Sequence, residues 1–170
     1  MTLRDVELLS QWMENPIITR YLNEMPGVSD SLRDLAGKIP APLLALRFNQ
    51  EGRFFLVCEK DGEAIGFVKL RPLQSRGTHE IVYAIGEESL WGRGYGKGAV
   101  RSALSAAFLD SRAERVIARI DPENTRSTRS VCACGFSRCD KEGKLYLYDL
   151  TQERYLENLR ASYAQKRAEG

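Results

Sequence analysis

The chain has 170 residues, 43% of them hydrophobic and 28% charged, enough for one domain with a core of its own. Its 25 Lys and Arg against 23 Asp and Glu leave a formal net charge of +2, too balanced for binding nucleic acid by bulk charge. No apolar run approaches about 18 residues, and "MTLRDVELLSQW" lacks a signal-like stretch, so no membrane partner is expected and the expected location is cytoplasmic.

Thr2 and Asp5 form a T-x-x-D capping pair that predicts a helix carrying Leu8, Leu9, Trp12 and Met13, broken at Pro16. "ITRYL" and "SDSLRDLAGKI" read as short helices in a loop-rich region ending near Pro40. Residues 53–59 and 64–71 read as strands around "KDGE", whose Asp-Gly step suits a tight hairpin. A third strand, 79–85, puts Ile81, Tyr83 and Ile85 on one face and Glu80, Val82 and Ala84 on the other. Val100, Ala103, Leu104, Ala107 and Phe108 then keep helical spacing. "RVIARI" is a strand, after which Asp121 caps a helix with Pro122 in its first turn and Gly135 stops it. "KLYLYDL" is a last strand, and Tyr155, Leu156, Leu159 and Tyr163 mark an amphipathic tail helix with a fraying polar end. The order predicts a single-domain mixed α/β sheet over 1–150, followed by the helix and polar tail of 151–170.

Cys58, Cys132, Cys134 and Cys139 lack metal-site spacing and His79 is the only histidine, so no metal is expected and the thiols are expected reduced. The basic stretch 112–129 is interrupted by Glu114, Asp121 and Glu123, which argues against a nucleic-acid footprint.

The most informative stretch is "LWGRGYGKGAV", with Gly92, Gly94, Gly96 and Gly98 at alternate positions before a helix. A helix start offers unpaired N–H groups and a positive dipole end, and glycines let backbone approach phosphate oxygens closely. A plain flexible turn is the alternative, and four alternating glycines would be costly to order for that purpose alone. Lys97 is followed by Gly98, which rules out the nucleotide P-loop. Gly94, Gly96 and Ala99 also spell the dinucleotide pattern GxGxxA, with Asp121 downstream at a strand end. The segment "GEESLW" between the strand and Gly92 weighs against that NAD(P)-binding alternative.

"WGRGYGKGAV", preceded by "HEIVYAI", resembles the acetyl-CoA loop of the GNAT superfamily of N-acetyltransferases, Q/R-x-x-G-x-G/A, with Trp91 in the first position. "NTRSTRSVCACGF" is similar to that superfamily's N-x-x-S/A…G-F helix, with Asn124, Ser127, Gly135 and Phe136 in register. Together with "LLSQWMENPIITRYL", these motifs resemble the branch of ribosomal-protein N-terminal alanine acetyltransferases. The resemblance implies a mostly antiparallel central sheet flanked by helices, and direct attack of an amine on acetyl-CoA.

The roles implied are specific. Backbone N–H groups of Arg93, Gly94, Tyr95, Gly96, Lys97 and Gly98 would hold the pyrophosphate. The strand backbone of Tyr83, Ala84 and Ile85 would pair with the pantetheine arm, the Ile85 N–H would serve the oxyanion, and Asn124 would contact the arm. Glu80 matches a general-base position and otherwise reads as an ion-paired strand carboxylate. Many members place a tyrosine seven residues after the asparagine as general acid; Val131 stands there, Ser127 is the substitute the resemblance implies, and Tyr146 or Tyr148 from the last strand, or no acid at all, are the alternatives. His79 reads as a surface residue. The family's usual first strand has no room before the cap at Thr2. The acceptor is expected in a pocket built from 15–40 and the turn 138–144, with Glu14, Glu24, Asp30 and Asp34 as attractors for a cationic amine. A protein N-terminus is favoured by the branch; polyamines, aminoglycosides, a homodimer through the tail helix and a non-catalytic CoA-binding module stay open.

Overall fold

A computed structural model describes residues 1–22 and 27–168. Helix α1 (Leu3–Glu14) opens on the expected capping box, with Thr2 Oγ1 accepting the Asp5 N–H at 3.2 Å and Asp5 Oδ2 accepting the Thr2 N–H at 2.6 Å. Asn15 ends α1 and caps α2 (Pro16–Thr19), its Oδ1 taking the Ile17 N–H at 2.9 Å. Helices α3 (Val28–Lys38) and α4 (Leu44–Phe48) complete this layer. Helix α4 is not announced by the apolar pattern: it spans 5 residues and buries one, Leu44. Glu24, one of the expected attractors, lies outside the described residues.

Strands β1 (Arg53–Cys58), β2 (Ala64–Pro72), β3 (Thr78–Ile85), β4 (Arg115–Ile120), β5 (Ser137–Glu142) and β6 (Leu145–Thr151) form one sheet in the order β1-β2-β3-β4-β6-β5. Every neighbouring pair is antiparallel except β3 with β4. Helices α5 (Tyr95–Ser105, running into a π-helical turn, Ala106–Asp110), α6 (Thr125–Cys132) and α7 (Gln152–Ala168) supply the second layer.

The alternation read from β3 sorts the core. Ile81 joins Val68, Val116, Ala118 and Ile120 beneath Val100, Leu104 and Phe108 of the α5 layer. Val82 and Ala84 pack with Phe67 beneath Leu9, Trp12 and Ile18 of α1 and α2. Trp12 lies so close to Gly86 that a Cβ there would run into the indole, which fixes α1 against the end of β3. Tyr155 of α7 stacks on Phe108 with centroids 4.8 Å apart and sets its hydroxyl 3.0 Å from Ser105 Oγ. The tail helix therefore shares the main core, and it continues to Ala168 where fraying is expected.

Three expectations change. Asp121 does not cap α6: its Oδ1 takes the Glu123 N–H in a local turn, and Asn124 is the N-cap, its Oδ1 accepting the Ser127 N–H at 3.1 Å. Pro122 precedes that cap instead of opening the helix. Residues 138–144 are not an open turn, because β5 pairs with β6 as a sheet edge; its almost fully exposed, charged sequence carries no strand-like apolar alternation. Among the described residues no strand precedes α1, and no helix is long and apolar enough to cross a membrane.

Candidate active site

Strands β3 and β4 pair only through Thr78–Arg115, His79–Val116 and Glu80–Ile117. Beyond Glu80 they part, and β4 turns its other edge to β6. The Gly86 N–H bonds to Ile65 C=O at 2.8 Å, so ladder alternation directs the N–H and C=O of Val82 and Ala84 to β2 as well. The main-chain groups of Ile81, Tyr83 and Ile85 face the gap. Of the three strand residues expected to meet the pantetheine arm, Tyr83 and Ile85 thus present backbone to the opening, and Ala84 does not.

A cleft of about 440 Å³ occupies the gap. One end is built by Trp91, Gly92, Gly94, Gly96 and Lys97 with Asn124, Ser127 and Ser130 of the α6 segment. The other is built by Ile17, Ile18, Tyr21 and Leu22 over Arg71, Glu80 and Arg119.

The glycines divide into two kinds. Gly92 and Gly94 take φ of 79° and 91°, and Gly94 is the N-cap of α5. Gly96 and Gly98 are helical, and the Gly98 N–H bonds to Gly94 C=O at 2.9 Å. Helix geometry leaves the N–H groups of 94–97 without intrahelical partners, a shorter run than the expected 93–98. Arg93, Tyr95 and Gly98 do not line the cleft. Tyr95 instead donates its hydroxyl to Glu59 past the end of β1, and that carboxylate pushes the phenol pKa up. Trp91 donates Nε1–H to Ile85 C=O at 2.8 Å, and the Arg126 guanidinium lies 3.5 Å from the centre of its ring. The loop is thereby pinned to the end of β3.

Glu80 is 5% exposed, with Oε1 paired to Arg119 at 3.0 Å and Oε2 held by Arg71. Arg119 also pairs with Glu142 at 2.7 Å; Glu142 and then Glu80 push its pKa up. Ser127 Oγ is 3.0 Å from the Tyr83 hydroxyl, whose pKa burial pushes up. Val131, at the usual acid position, is fully buried in the core. The sequence reading placed Tyr83 on the correct face and missed its hydroxyl as a partner of Ser127. His79 is half-buried, with Nδ1 enclosed and without a hydrogen-bond partner, so it is not the expected surface residue.

The acetyltransferase (GNAT) domain model matches residues 1–137, which contain the glycine loop, the splayed strand and α6. The chain belongs to the GNAT acetyltransferase family. It is 30% identical over 159 residues to the uncharacterized N-acetyltransferase p20 of Bacillus licheniformis, covering 92% of this chain and 85% of that protein. Its fold matches a GNAT-family acetyltransferase from Bacillus anthracis with a TM-score of 0.69 at 21% identity, over 89% of this chain and 91% of the other. It also matches spermidine N-acetyltransferase from Vibrio cholerae in complex with CoA and spermine, with a TM-score of 0.73 at 21% identity, over 90% and 93%. A third match is aminoglycoside acetyltransferase AAC(6')-Ib in complex with coenzyme A, with a TM-score of 0.74 at 19% identity, over 92% and 95%. This GNAT protein is an acetyl-CoA-dependent N-acetyltransferase. The dinucleotide alternative fails on topology, since β3 and β4 are the single parallel pair in the sheet.

Proposed function

We propose that the protein acetylates a primary amine by direct attack in a ternary complex, with acetyl-CoA laid along the gap between β3 and β4. The observation that carries this reading is the parting of the two strands beyond Glu80, which leaves the β3 backbone facing a cleft that ends in the glycine loop. The N–H groups of 94–97 hold the pyrophosphate, with Lys97 adding charge. The backbone of Tyr83 and Ile85 meets the pantetheine arm, and the Ile85 N–H stabilises the developing oxyanion. The Ile85 carbonyl is already engaged by Trp91, which leaves its N–H as the free backbone group there. Asn124 commits Oδ1 to capping α6 and offers Nδ2–H to the arm.

An amine of pKa about 8–10 arrives mostly as ammonium and must lose a proton before it reacts. Both oxygens of Glu80 already meet guanidinium groups, so it takes that proton through a remaining lone pair by way of a water. The nitrogen attacks the thioester carbonyl, the N–C bond forms, and the C–S bond breaks. The Ser127 hydroxyl, 3.0 Å from that of Tyr83, passes its proton to the departing thiolate, which becomes the CoA thiol, and takes in return the second proton that the nitrogen sheds. A protein N-terminus fits the resemblance in the opening helices, and a small amine fits the same chemistry.

Initial velocities with both substrates varied test this reading. Direct attack gives intersecting reciprocal plots; parallel plots, the mark of an acetyl-enzyme, would overturn it. Ser127→Ala should lower kcat near the lower end of the about 10²–10⁴-fold range for proton transfer, with KM for acetyl-CoA little changed.

A further inference from the structure

The acceptor end of the cleft is not built for a polycation. Of the four acidic residues expected to attract one, the three among the described residues are spent elsewhere: Glu14 and Asp30 pair with Arg33, and Asp34 pairs with Lys38. None of the three lines the cleft. Among the described residues, Glu80 is the only carboxylate in the cleft wall, and two guanidinium groups already hold it. The other charged groups in the wall are Arg71, Arg119, Lys97, Arg126 and Arg129, all cationic. A second ammonium group beside the reacting amine would meet Arg71 and Arg119 there, with no free carboxylate among the described residues of the wall to answer it.

Arg71 has the capacity to bind an anion. Its partner across the β2–β3 ladder is Glu80, which takes one Nη, while the side chain keeps 53% of its surface exposed. A guanidinium carries five N–H donors, so most of its fork remains open towards the cleft. Arg119, by contrast, spreads its nitrogens over Glu80 and Glu142 and is only 26% exposed. Across from Arg71 the wall is apolar and aromatic: Ile17, Ile18, Tyr21 and Leu22.

We infer that the acceptor is a small primary amine that also carries a carboxylate or phosphate, with Arg71 gripping the anionic group and its apolar part lying on α2. This inference rests on the acetyltransferase reading above. The rule for such a site is asymmetric: a charged group aimed at an anion discriminates strongly against the analogue that lacks it.

The test is acetylation by the full chain with acetyl-CoA, read by product mass and by release of CoA thiol. The acceptors are leucine, leucinamide, phosphoethanolamine, spermidine, kanamycin and a short peptide with a free N-terminus. Leucine and leucinamide differ in the anion and in the basicity of the α-amine, so kcat/KM is compared per unprotonated amine, and it should favour leucine by about ten- to a hundredfold. Phosphoethanolamine preferred over leucine would identify phosphate as the anion. Arg71→Gln should bring the leucine-to-leucinamide ratio towards one, while Arg71→Lys keeps a preference. The ratio is taken within each variant, so loss of folded protein does not alter it. Equal turnover of leucine and leucinamide with no preference for phosphoethanolamine, or a preference for spermidine, kanamycin or the peptide, would overturn this inference and leave the acetyltransferase reading standing. Acetyl-CoA binding with no acceptor acetylated would overturn the inference too, and would favour the non-catalytic CoA-binding module. Failure to bind acetyl-CoA at all would remove the reading on which it rests.

Discussion

Glu80 is asked both to brace two arginines and to take a proton, and two substitutions separate the roles. Glu80→Gln keeps the shape and should lower kcat about 10²-fold or more. Glu80→Ala removes the carboxylate that Arg71 and Arg119 share, while Arg119 keeps Glu142 and Arg71 keeps solvent, and should cost about 1–3 kcal/mol of stability on chemical denaturation. A Gln variant with an unchanged kcat would leave Glu80 a purely structural ion-pair partner. His79 gives a second prediction. Burial lowers its pKa from 6.5, so the unfolded chain binds the proton before the folded one does as pH falls. Its contribution is therefore fully present above pH 6.5 and is lost as pH falls through the lower, folded value. Melting temperature should drop as pH falls below about 6.5, and His79→Gln should flatten that drop. The single histidine was visible in the sequence, but its burial was not, because enclosure depends on β4 closing against β3.

The glycine loop belongs to the scale of the element. Four alternating glycines suggested one cradle, yet only Gly92 and Gly94 need the left-handed conformation. Gly94→Ala should cost about 1–2 kcal/mol and weaken acetyl-CoA binding, because the cap of α5 must distort. Gly98→Ala has open space around its Cβ and a helical backbone, so it should stabilise the fold by about 0.5–1 kcal/mol. Thermal melts and calorimetric titration with acetyl-CoA check both; equal effects at the two positions would contradict the division. The pattern marked the loop and the start of α5, since glycine spacing is a local signal. It did not show which N–H groups stay unpaired, since that depends on where the helix takes its first bond. Similarly, α1 was readable from its capping box and apolar stripe, whereas β5 was not, because an exposed edge strand has no apolar face to betray it.

At the scale of the molecule, six strands and two helical layers serve to hold one gap open. The β3 alternation, the α5 stripe and the β4 strand could each be read one element at a time, which made the α/β class legible. The parting of β3 from β4 could not, because it arises from long-range pairing: β4 bonds to β6 along its full length and to β3 only at the start. The Arg71–Glu80–Arg119 cluster was hidden for the same reason, its members coming from three strands. The central claim is that this gap receives acetyl-CoA, and the most direct measurement is the melting temperature of the purified protein with acetyl-CoA, CoA or NAD. A ligand at about 100 times its Kd adds roughly 2.7 kcal/mol, which for a chain of this size raises Tm by about 5–10 °C. Acetyl-CoA and CoA should produce that rise and NAD should not; no rise with acetyl-CoA, or a rise with NAD alone, would contradict the account.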